Sequence, residues 1–141
     1  MDDTRDKNDV LSEYELEAIK INQEIINRMA DNSQKMKNYF LVFSGLLITI
    51  FNNNMNWKII IGYIIVGLVF WFMDANYLKL EKQFRMHHQA IVNGSLPQLE
   101  KYNFNPNKYK CSLLKTMFNN FSIFIYPFVI AIISLIMYGL Y

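Results

Sequence analysis

The chain is poor in the residues that interrupt or cross-link a fold: five Gly, three Pro and one Cys in 141 residues. The lone Cys111 excludes an intrachain disulfide. No Gly or Pro falls between Val10 and Ser44, so nothing there breaks a helix. There is no Gly-rich phosphate loop, no HExxH, no Ser/His/Asp set and no Cys/His cluster. Those absences argue against an enzyme, and no cofactor or metal is expected. His87 and His88 are adjacent, so on a helix they point about 100° apart and cannot share one metal. They read as solvated histidines.

Charge is also absent from three long stretches: Asn38–Trp57, Ile59–Met73 and Thr116–Tyr141. Each predicts a membrane span, the middle one completed by Trp57–Lys58 and Asp74–Tyr77 at the interfaces. Mean hydropathy is only +0.08 because the remainder is polar. No charge falls at mid-bilayer and no inverted repeat is visible, which speaks against a secondary transporter. No signal peptide is expected. Of the 14 Lys and Arg residues, only Lys58 lies between spans one and two, and none follows span three. The positive-inside rule therefore places the N-terminus and residues 78–115 in the cytoplasm of a bacterial inner membrane, with the C-terminus outside.

The expected fold is an all-α membrane protein of three transmembrane helices. Helices 1 and 2 extend into the cytoplasm as a pair, and the whole assembles as a homo-oligomeric bundle. Residues 1–9 are a flexible N-terminus. Residues 10–37 form a helix, opened by a Ser12/Glu15 capping box, that continues into span one and its outer turn (38–56). Span two covers 57–77, its extension 78–93, a loop 94–115 and span three 116–141. Asn93-Gly94 reads as a helix end. Pro127 falls inside span three, where it would free the carbonyl of Ile123 and kink the helix. Apolar stripes at Leu11, Ala18 and Ile25, and at Leu16, Ile19, Ile26 and Met29, predict packing of the cytoplasmic helices.

Two sets of residues are candidates for function. Stepping along helix 1, Glu24, Arg28, Asp31, Lys35, Asn38, Val42, Gly45, Thr49, Asn52 and Asn56 share one face. Its membrane part, from Asn38 to Asn56, is small or weakly polar and reads as a pore lining or a tight helix seam. At the inner boundary, Asp74, Tyr77, Glu81 and Arg85 share a side of helix 2, and Arg28 lies at similar depth on helix 1. They predict an ion pair of Arg28 with Asp74 or Glu81, or else Asp74 caps the span at the water line. Arg28, Asn32, Lys35, Lys79, Lys82 and Arg85 are candidate contacts for an anionic ligand or for lipid headgroups.

Two blocks carry a resemblance. INQEIINRMADNSQKMKNYF (21–40) contains Arg28-Met29-Ala30, Asn32 and Ser33. FWFMDANYLKLEKQFR (70–85) contains Trp71, Asp74, Ala75, Tyr77, Leu78, Glu81 and Arg85. In both order and spacing they resemble a family of small bacterial three-span membrane proteins, some linked to antiphage defence. Asn76 stands where that family usually has an aromatic, and Lys35-Met36-Lys37-Asn38 is unusually polar. The chain is similar to Hailong-type channel effectors. The resemblance implies a gated pore, controlled by a nucleotide or oligonucleotide signal and partnered with a nucleotidyltransferase. The alternative is a non-conducting membrane anchor that recruits a cytoplasmic partner enzyme.

Overall fold

A computed structural model describes residues 13–51, 56–119 and 123–139. Among them the chain is helical, with no strand. Helix α1 runs Glu13–Phe51 and α2 Trp57–Val92. Two 3-10 turns follow, Gln98–Glu100 and Pro106–Lys108, then α3 (Leu113–Asn119) and α4 (Ile125–Gly139). Ser12, residues 1–9 and Asn52 lie outside the described residues.

Sequence chemistry accounts for the ends. Glu13 and Glu15 sit in the first turn of α1, where carboxylates favour the helix dipole. The Asn56 side chain accepts from the Lys58 amide and caps α2. At the other end Gly94 takes φ +64°, and the Gly94 and Ser95 amides bond back to Ile91 and Ala90. Among the described residues α3 ends at Asn119 and α4 begins at Ile125, where one continuous span three was expected. Pro127 is the third residue of α4, so its missing N–H is one the helix start leaves unpaired anyway. In an unbroken helix its ring would strike the carbonyl of Ile123. Pro127 thus opens a new helix rather than kinking one already formed.

α1 and α2 lie antiparallel along nearly their whole length. Three cross-links fix the register: Asn22 to Phe84, Ser33 to Asp74 and Ser44 to Tyr63. On α1 these residues stand eleven apart, about three turns, so they stay on one face. The buried seam of α1 is Ala18, Asn22, Ile26, Ser33, Lys37, Phe40, Ser44 and Leu47. Of the expected stripes only Ala18 and Ile26 are buried; Leu16 is exposed, and Ile19, Ile25 and Met29 are half-buried.

α4 packs into the groove between the long helices. Phe40 is the hub, with its ring 5.1 Å from Tyr126, 5.9 Å from Tyr63 and 5.8 Å from Phe70. Gly67 lets α4 approach. A Cβ there would lie 2.6 Å from Ile130 Cδ1 and 2.8 Å from its Cγ1. Gly45 and Gly62, by contrast, have nothing within 4 Å.

α2 is long and apolar enough to cross a membrane, and α4 is a shorter apolar helix. Only 22% of the most apolar window of α2 is buried, so it is not the covered core helix of a water-soluble fold. Ile61, Ile65, Leu68, Val69 and Phe72 of α2 are exposed, as are Leu46 and Ile50 of α1 and Phe128 and Leu135 of α4. They form an apolar belt around the three helices.

Candidate functional site

The belt has a charged lower edge, and that edge is buried inside the protein. Ser33 and Lys37 come from adjacent turns of α1, Asp74 from α2. Lys37 Nζ lies 2.9 Å from Asp74 Oδ2, with side-chain exposures of 10% and 0%. The pair meets the distance of a salt bridge but not the angle of a hydrogen bond at Oδ2. The directed bonds run through Ser33. Its hydroxyl donates to Asp74 Oδ1 and accepts from Lys37 Nζ at 2.8 Å. The Tyr126 hydroxyl of α4 also lies beside Asp74, buried and without hydrogen-bond geometry. One carboxylate thus ties α1 to α2 where the apolar layer begins, with the Tyr126 hydroxyl of α4 packed beside it.

This arrangement is built for holding rather than for nucleophilic attack. Ser33 is 2% exposed and its proton already points at a carboxylate.

The structure replaces the expected partner of Asp74. Arg28 is exposed, and Glu81 pairs with Arg85 on its own helix at 2.8 Å. A register with Ser33 opposite Asp74 leaves Arg28 well below the carboxylate and on another face. Lys37 was hidden in the sequence because it reads as one more basic residue before a span. The eleven-residue spacing of Asn22, Ser33 and Ser44 was the available signal. Asn32 and Tyr77 are half-buried and Lys35 is exposed.

The polar stripe of α1 lies on the opposite face from this seam. Glu24, Arg28, Asp31, Lys35, Asn38, Val42, Gly45 and Thr49 are all exposed, so no other part of the described chain covers them. Thr49 donates to the Gly45 carbonyl at 3.0 Å, and Gln34 donates to Asn38 at 3.2 Å. Asn56 does not belong to the stripe: α1 has ended, and its side chain caps α2.

Below the belt, the loop is pinned to α2. His87 is 2% exposed, not solvated. Its Nε2 lies 3.3 Å from the Lys101 carbonyl, which makes it the N–H, and Nδ1 then accepts from Tyr109 Oη at 3.1 Å. Burial, first of all, pushes the His87 pKa below its ordinary value; nearby Lys108 and His88 add to this, while the Lys101 carbonyl opposes it. Gln83 Nε2 donates to the Tyr109 carbonyl at 2.6 Å. Lys101 pairs with Glu15 of α1. Lys79, Lys82 and Arg85 of α2 face the Lys110–Lys115 approach to α3. No group of three or more potential metal ligands gathers among the described residues.

Compared with protein-family models, curated proteins and solved structures, the chain matches none.

Proposed function

We propose that this protein is an inner-membrane effector whose copies assemble with the exposed stripe of α1 around a central axis, forming a gated ion pore. α1, α2 and α4 would be the three spans, with the N-terminus and the 78–115 layer in the cytoplasm. The observation that carries the reading is the outward polar face at Asn38, Gly45 and Thr49 within an otherwise apolar belt. Polar groups at that depth are costly against lipid and are favoured against water or another helix. The buried Lys37–Asp74 pair would fix each three-helix unit as a rigid stave. α1 continues without a break from the belt into the polar layer, so a contact below the membrane can be passed to the stripe.

The resemblance to Hailong-type effectors adds a role in antiphage defence, a nucleotide-type signal and a nucleotidyltransferase partner. The experiment is ion flux from liposomes containing the purified protein. Asn38→Leu and Thr49→Leu are expected to change conductance or ion selectivity while preserving helix content. If no lipid composition, nucleotide or partner opens a flux, the pore reading fails. The anchor reading then stands, and its test is co-purification of a cytoplasmic enzyme that depends on the 78–115 layer.

A further inference from the structure

We infer that the hollow between α2 and the approach to α3 is a binding site for a phosphate-bearing anion. Two adjoining hollows of about 410 and 560 Å³ share Lys110, Ser112 and Lys115 as one wall. Lys79, Lys82 and Arg85 of α2 form the other. Among the described residues no Asp or Glu lines either hollow. Glu81 meets Arg85 Nε from outside them at 2.8 Å.

Five cationic side chains from segments some thirty residues apart are therefore gathered by tertiary structure. Lys79, Lys110 and Lys115 meet no acidic side chain among the described residues, and an anion between them would offset their mutual repulsion. It is held by uncharged pins. Gln83 grips the Tyr109 carbonyl, His87 meets the Tyr109 hydroxyl, and Trp71 lies edge-on to Phe118 with ring centres 5.6 Å apart. A wall fixed before the ligand arrives lowers the ordering cost of binding. Lys and Arg donors with the Ser112 hydroxyl suit oxygens carrying two or more negative charges. The volume suits a headgroup or a nucleotide phosphate chain. Any gating role of this site rests on the pore reading above; the binding itself does not.

The test uses the full chain in nanodiscs, in two arms. Inorganic triphosphate is titrated by calorimetry against protein in phosphatidylcholine discs. In parallel, discs containing phosphatidic acid are analysed by native mass spectrometry for retained lipid. Lys110→Gln/Lys115→Gln should weaken binding about tenfold or more, and by less as salt rises. Lys20→Gln, an exposed site outside the hollows, should leave it unchanged. If the double variant loses helix content, Lys79→Gln supplies the same comparison. Binding in the triphosphate arm identifies a free phosphate, and binding in the lipid arm a headgroup. No binding in either arm, or equal binding by the double variant and Lys20→Gln, overturns the proposal. Binding without ion flux would keep the site and remove the pore reading; flux without binding would do the reverse.

Discussion

Replacing Lys37 by Met should be among the most damaging single changes in this chain. The ammonium is 10% exposed and the carboxylate it faces is fully buried. Lys37→Met would leave Asp74 charged, with the Ser33 hydroxyl as its one hydrogen-bond donor. Stranding a buried charge in this way costs about 3–5 kcal/mol. Asp74→Asn should fall near the lower end, about 3 kcal/mol, because a lysine stem can swing its charge outward and an aspartate cannot. The double variant removes both charges, so most of the loss should return, with a coupling of at least about 2 kcal/mol. The assay is reversible unfolding in mixed micelles, followed by the fluorescence of Trp57 and Trp71. Single variants that each cost under about 1 kcal/mol, or losses that simply add in the double variant, would refute a paired buried site.

Gly67→Ala places a Cβ against Ile130 and should destabilise by about 1–3 kcal/mol, whereas Gly45→Ala meets open space and should be nearly neutral; thermal unfolding of the two variants side by side checks the contrast. His87 has a folded pKa below its unfolded value near 6.5, so the unfolded state binds the proton first. Stability from this residue is therefore full above about pH 6.5 and declines as the pH falls below it. Protection of the amides of residues 98–110, taken relative to their intrinsic exchange rate at each pH, should fall between about pH 7.5 and 5.5, and His87→Asn should remove that change; pH-independent protection in the unsubstituted protein would contradict this. If the outward stripe lines a pore, Gly45→Lys should alter ion selectivity in liposomes without lowering thermal stability.

Much of the helical layout was legible in the linear pattern. A long uninterrupted run without Gly or Pro specifies α1, because every residue in it tolerates the helix and none removes a backbone bond. Asn56 and Gly94 mark the two ends of α2, the first through its side-chain oxygen, the second through a left-handed backbone. Pro127 announced a disturbance, but its consequence depended on where the helix restarted. In the first turn of α4 the missing N–H costs nothing; a few residues later the same ring would have bent a helix.

Which face of each helix lies inside was a different matter. Apolar periodicity on α1 pointed to stripes of which, among the described residues, only Ala18 and Ile26 are buried. The choice was made by partners contributed from far along the chain: the Phe84 carbonyl for Asn22, Asp74 for Ser33 and Lys37, and the Tyr63 hydroxyl for Ser44. A polar side chain can be buried only where a complementary group waits for it, and a linear pattern does not say where such groups will meet. The same reason separates His87, drawn inside by Tyr109 and the Lys101 carbonyl, from the solvated residue its neighbours suggested. Sequence alone determined that this chain forms long helices, one of them apolar enough to cross a membrane, with its basic residues set outside the apolar runs. Tertiary structure decided which charges are paired inside, which polar face of α1 is left exposed, and which lysines stand together.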